Sequence, residues 1–310
     1  MIGNIITLRI LMIGNSFSVC VGKDLPYIAQ SVPGHQVVLT SAYIGGCSLE
    51  RHWNNVVESE ENPDAKQYAV HSWANTAQGV AQVDARGSIN DLLKNGQWDI
   101  VTIQQASHFS WKPETYTPYA GQLVEYIRKH QPNAKIWIQQ TWAYRADDGR
   151  IRPEGEWGID QAEMYKRLSK AYRQLSESID APVIPTGRAV RYSRERTPEA
   201  NRFAIPTPEQ KAACRWPDLP SQASDVVGRT FWSKNKTSQE LEIGADTIHL
   251  NRRGEYLQSC TWFEALFGTA LPENTYVPGD IGKSDAAFLR ACAHDAVAGG
   301  TKILPEDCGE

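Results

Sequence analysis

Apolar runs of strand length recur along the first two-thirds of the chain, and most are followed by a segment of helical period. Residues 10–13 (Ile-Leu-Met-Ile) carry no charge and end at Gly14, which reads as a strand buried on both faces. A helix is predicted over 23–31. Residues 36–42, 98–103, 134–140 and 181–185 read as four more strands. Helical spacing marks 88–94, 117–130 and 159–178, the last with Met164, Leu168, Ala171, Tyr172 and Leu175 on one stripe. Five strands alternating with helices predict an α/β fold with a parallel sheet covered on both faces. Right-handed crossovers then limit the topology to a doubly wound sheet.

Two regions break this rhythm. Residues 50–87 are polar and aromatic-rich, with an extra hairpin predicted around 67–72. Residues 188–236 (the irregular stretch runs to about 240) are rich in Pro, Arg, Ser and Glu and read as a long insertion in a single domain spanning 1–310. Trp216 and Trp232 make it a candidate rim or lid. Arg188, Arg191, Arg194, Arg196 and Arg202 within it read as a solvated face, or as a bidentate grip on a substrate carboxylate. Asn251 caps a last core helix over 253–267 that ends at Gly268, and 285–297 forms one more helix. Internal repeats and low-complexity segments are absent from the sequence.

Composition narrows the function classes. A net charge of −4 argues against a nucleic-acid partner. No apolar run is long enough for a membrane span. Ten Trp and twelve Tyr mildly favour a carbohydrate ligand, since exposed aromatics stack on sugar rings. Six Cys (20, 47, 214, 260, 292 and 308) form no C-x-x-C pair, so no metal site is expected; Cys292 with Cys308 and Cys20 with Cys47 are either bridges or free thiols. No His-Glu-x-x-His, Walker or Gly-x-Gly-x-x-Gly pattern occurs, which argues against a zinc protease, a P-loop NTPase and a standard dinucleotide site. His52 beside Trp53 and His71 beside Trp73 read as structural histidines, with pocket lining the alternative. Residues 1–7 lack a basic segment followed by an apolar stretch and a small-residue cleavage site; a periplasmic or secreted location is favoured if a leader has been removed.

The candidate chemistry lies at two distant points. A strand, a Gly turn and Ser16 ahead of a helix is how α/β proteins present a nucleophile, at the carboxyl edge of the sheet. Far downstream, Asp246-Thr247-Ile248-His249 sits just before the helix capped by Asn251; the spacing lets the carboxylate reach Nδ1 of His249 while Nε2 faces Ser16. Together with Gly14-Asn15-Ser16, this resembles the SGNH (GDSL-like) esterase superfamily. The resemblance implies a flavodoxin-like three-layer α/β/α sandwich with a five-stranded parallel sheet, Ser16 as nucleophile, His249 as base and Asp246 as its orienting carboxylate. It also implies an oxyanion hole built from the backbone N–H groups of Ser16 and Gly46, the latter from the Ser41–Gly46 block, which alone reads as a Gly-Gly turn. The family's third donor is an Asn; here the matching strand end offers Gln105, then Gln104, then His108, or is simply a polar strand end. Asn15 replaces the usual Asp and leaves the hydrogen bonding behind Ser16 open. The expected function is a cofactor-free serine esterase removing an O-acyl group, O-acetyl above all, from a carbohydrate through an acyl-enzyme. The alternatives are a lipid or thioester acyl hydrolase and a non-catalytic glycan-binding module.

Overall fold

The computed structural model describes residues 5–222 and 224–310; the first four residues of the N-terminal stretch discussed above lie outside it. One sheet gathers β1 (Ile6–Gly14), β2 (His35–Tyr43), β3 (Tyr68–Thr76), β4 (Gly79–Gly87), β5 (Ile100–Ile103), β6 (Lys135–Gln139) and β7 (Val183–Ile184) in the order β4-β3-β2-β1-β5-β6-β7. Its β2-β1-β5-β6-β7 portion is parallel. The expected five-stranded sheet is therefore a seven-stranded one: β3 and β4 form a hairpin that extends it antiparallel beyond β2. This hairpin is longer than the one predicted; β3 buries Tyr68 and Val70 on one face and Trp73 on the other while β4 is mostly exposed, so its polar–apolar alternation is blurred in sequence.

The chain runs from β1 to β2 in one direction, then reverses to β5, β6 and β7. With right-handed crossovers the connecting helices must divide between the two faces. Accordingly α3 (Leu49–Glu61), α4 (Ile89–Asn95) and α5 (Tyr119–His130) pack together, with α6 (Gln161–Ile179) beside α5. A second group holds α2 (Leu25–Ser31), α7 (Thr186–Arg196), α9 (Arg252–Phe267) and α10 (Lys283–Ala298). Ile10, Leu11, Met12 and Ile13 are at most 1% exposed, as a central strand between two layers requires. The reversal leaves a crevice outside the carboxyl ends of β1 and β5, the place where open α/β sheets bind ligands.

Several expectations are corrected. The helix expected over 23–31 is α2, but a short α1 (Ser16–Val19) that was not expected precedes it. Residues 49–61 are helical although nothing there was predicted so; mostly charged and amide side chains hide the short stripe of Leu49, His52 and Val56 that it buries. The insertion starts later than expected, because Thr186–Arg196 is the core helix α7. Arg188 is fully buried, with Nε and Nη2 on Asp307 Oδ2 at 2.8 and 2.6 Å and further bonds to the carbonyls of Ala296, Gly300 and Lys302. It staples the C-terminus rather than facing solvent or substrate. The remaining insertion holds α8 (Pro208–Ala213) and an antiparallel pair, β8 (Val227–Lys234) and β9 (Leu241–Leu250). All six cysteines are free. No helix among the described residues is long and apolar enough to cross a membrane.

Candidate active site

Ser16 opens α1 at the end of β1. Asn15 caps it, its Oδ1 accepting from Phe17 N at 3.0 Å. Asp246 and His249 lie near the end of β9, where the pairing with β8 shifts register and bulges out residues 247–249. Asp246 Oδ1 accepts the backbone N–H groups of Ile248 and His249, each at 3.1 Å. Its Oδ2 lies 2.9 Å from His249 Nδ1, and His249 Nε2 lies 2.9 Å from Ser16 Oγ. The fold thus brings together a hydroxyl, an imidazole and a carboxylate in a continuous chain of hydrogen bonds. Burial works to raise the Asp246 carboxyl, but the bonds from the His249 ring and from the two backbone N–H groups outweigh it and hold the group well below the usual carboxylate range. Asp246 is therefore an anion that orients the ring.

The imidazole is held from behind by residues the sequence did not single out. Trp142 donates Nε1–H to Ile248 O at 2.9 Å and stacks flat on Phe17 at 4.2 Å, while Phe17 meets the His249 ring edge-on at 5.6 Å. Arg145 N donates to Thr247 O at 2.8 Å, and Thr247 Oγ1 donates to Asp148 Oδ2 at 2.6 Å. The loop after β6 thereby ties down the end of β9. A bulky aromatic directly after a predicted strand was the one signal available for Trp142.

Gly14 pairs in register with Tyr43, so Ser16 and Gly46 leave the sheet at the same edge from adjacent strands. Gly46 has φ 62°, a left-handed conformation that suits glycine. Among the described residues, neither the Ser16 nor the Gly46 backbone N–H has an intramolecular partner. The amide of Gln105, expected as the third donor, is not offered to Ser16. Its Nε2 donates to Thr115 O at 2.9 Å and Thr115 Oγ1 at 3.1 Å, and its Oε1 accepts from Leu49 N and Ala106 N. Gln104 Nε2 donates to Asn15 Oδ1 at 2.8 Å. His108 lies half-buried beside Phe109 at a ring separation of 4.1 Å.

Ser16 and His249 open onto a cleft of about 570 Å³. Its far wall is the unexpected hairpin: His71 and Trp73 from β3, Val80 and Gln82 from β4. Lys23, Tyr27 and Glu255 line the nearer side, with Lys23 Nζ 2.5 Å from Glu255 Oε1. Among the described residues, none of 188–240 lines this cleft, but Arg229 of β8 lines a neighbouring pocket of about 430 Å³ together with Asp246 and His249. His71, read as structural, lines the cleft and is braced by Asp84 at 2.8 Å; His52, by contrast, is buried against Tyr68, 2.9 Å from its hydroxyl.

These features define an α/β protein with a Ser–His–Asp constellation at the switch point of a mostly parallel sheet. The chain belongs to the DUF4886 family (domain of unknown function), which matches residues 9–204; Ser16 and Gly46 fall inside the match, and Asp246 and His249 beyond it. It is similar along its length to the crystal structure of a DUF4886 family protein from Bacteroides uniformis, with 26% identity, a TM-score of 0.73, and 97% of this chain and 99% of that one covered. A proposed SGNH hydrolase from Slackia heliotrinireducens superimposes with a TM-score of 0.49 at 18% identity, covering 84% of this chain and all (100%) of that one. A proposed GDSL-like lipase from Parabacteroides merdae does so with a TM-score of 0.46 at 14% identity, covering 85% and 97%. Those two superpositions are too loose to bear on function. No curated protein matches the chain.

Proposed function

We propose that this protein is a serine esterase with Ser16 as nucleophile, His249 as general base and Asp246 as the group that orients it. The observation that carries this is the pair of 2.9 Å contacts running Ser16 Oγ–His249 Nε2 and His249 Nδ1–Asp246 Oδ2, at the mouth of an open cleft. Ser16 Oγ adds to the ester carbonyl while His249 Nε2 takes its proton. The backbone N–H groups of Ser16 and Gly46 receive the developing oxyanion. Collapse of the tetrahedral intermediate expels the alcohol, which leaves with the proton held by His249. Water, deprotonated by His249, then attacks the acyl-Ser16 ester and releases the acid. With Gln105 bonded to Thr115 and Gln104 to Asn15, this hole rests on two backbone donors.

The substrate class we favour is an O-acetylated carbohydrate. Tyr27 and His71 supply ring surface for a sugar, and Gln82, Lys23 and Glu255 supply polar groups for its hydroxyls. The test is hydrolysis of p-nitrophenyl acetate and acetate release from a panel of acetylated glycans, each by the wild type and by Ser16→Ala. Loss of both activities in the variant is expected. Turnover that survives Ser16→Ala would remove Ser16 as nucleophile. Glycan binding without any turnover would make the chain a binding module.

A further inference from the structure

Asn15 takes no part in the mechanism above, yet it is only 1% exposed and lies directly behind the nucleophile. Its amide has one settled orientation. Two donors, Phe17 N at 3.0 Å and Gln104 Nε2 at 2.8 Å, converge on Oδ1. Nδ2 must therefore face the other way, where it donates to Cys47 O at 3.0 Å. Cys47 is the buried anchor of an otherwise solvent-facing turn: Gly45 and Gly46 are exposed, and Cys47 N closes the turn on Ile44 O at 3.2 Å. A second tether holds the far end of the same loop, since Leu49 N donates to Gln105 Oε1 at 3.0 Å. The loop that carries Gly46 is thus clamped at two points by side chains from the ends of β1 and β5.

We propose that Asn15 is a positioning residue whose side-chain N–H, bonded to the Cys47 carbonyl, holds the Gly46 N–H where the oxyanion forms; the proposal rests on the esterase reading above. Gln105 takes the role of loop anchor instead of oxyanion donor. An ionised carboxylate at position 15 would still accept from Phe17 and Gln104, but it would set an oxygen lone pair against the Cys47 carbonyl and cut the tether. The isosteric Asn15→Asp variant therefore separates tethering from packing. At about pH 8 its kcat on p-nitrophenyl acetate is expected to fall about 100-fold, the loss typical of one oxyanion donor, with KM within about threefold of the wild type. Asn15→Ser lacks both tether and charge, and its kcat should fall too, which separates loss of the tether from the added charge.

Hydrogen exchange of residues 44–49, compared at one pH, reads the tether independently of turnover and should be faster in both variants. Faster exchange together with the lowered kcat in both variants supports the proposal. A kcat within about threefold of wild type at about pH 8, or unchanged exchange, would each overturn it. If the wild type hydrolyses no ester, the esterase reading fails, and unchanged or faster exchange still decides whether Asn15 holds the loop.

Discussion

Replacing Asp246 by Asn alters a single terminal group, and the surrounding donors dictate what the new amide does. The Asp246 Oδ1 position accepts two backbone N–H bonds at 3.1 Å, while Oδ2 faces His249 Nδ1 at 2.9 Å. An Asn side chain has one acceptor oxygen, and the two backbone donors claim it. Its NH2 must then point at Nδ1 and can only donate, which forces the imidazole proton onto Nε2. Nε2, 2.9 Å from Ser16 Oγ, loses the lone pair that would take the serine proton. A triad held in this wrong tautomer loses up to about 10⁴-fold in kcat. Here the Asp246 and His249 side chains are 25% and 39% exposed, so water can partly restore the productive tautomer. The expected loss is about 10³-fold, or about 4 kcal/mol of transition-state stabilisation. Asp246→Ala leaves Nδ1 to water without imposing a tautomer, so it should lose less than Asn does. The assay is kcat/KM on p-nitrophenyl acetate, with the ¹⁵N shifts of the His249 ring reporting the tautomer and thermal unfolding confirming the fold. An Asn variant within about tenfold of wild type, or an Ala variant slower than the Asn one, would refute the reasoning.

Two further outcomes are expected. Trp73 forms the cleft's far wall: it packs on Gly22, where a Cβ would come within 2.5 Å of the ring, and its Nε1 donates to Gln82 Oε1 at 3.1 Å. Trp73 is itself largely buried, so the test falls on its half-buried neighbour on the same strand: His71→Ala should raise KM for an acetylated oligosaccharide about tenfold while leaving kcat on the small nitrophenyl ester within about threefold. Equal losses on both substrates would count against the hairpin as a binding surface. Burial, reinforced by Arg51, pushes His52 down to about 3, so the folded protein holds this ring neutral. In the unfolded chain it takes up a proton below about pH 6.5, so its contribution is fully present above that pH and is lost at about 1.4 kcal/mol per unit as pH falls toward 3. His52→Gln, which keeps a partner for Tyr68 but does not titrate, should flatten the fall in urea midpoint across that window; an unchanged slope would show that His52 is not linked to folding.

The parts readable from sequence were those encoded by neighbours in the chain. Residues 10–13 could only be an interior strand, since a charge-free apolar run has no face to give to water. The turn Gly14-Asn15-Ser16 and the spacing of Asp246 and His249 likewise belong to short segments. What remained hidden depended on partners far away. Arg188 reads as a surface charge until Asp307 and three carbonyls surround it. Gln105 and Gln104 are equivalent amides at a strand end, and only Thr115, Leu49 and Asn15 decide where each one points. The β3–β4 hairpin lies at the sheet edge, half-exposed and weakly patterned, yet it supplies a wall of the cleft.

The sequence by itself determined the α/β class, the central strands and the residue types available for chemistry, because hydrophobic periodicity and turn geometry act over a few residues. The tertiary structure alone decided that Ser16 meets His249, which surface faces them, and which polar side chains are bound up within the protein rather than free to act. A buried hydrogen-bonding group must find a partner wherever the fold supplies one, and that requirement has no local signature in the chain.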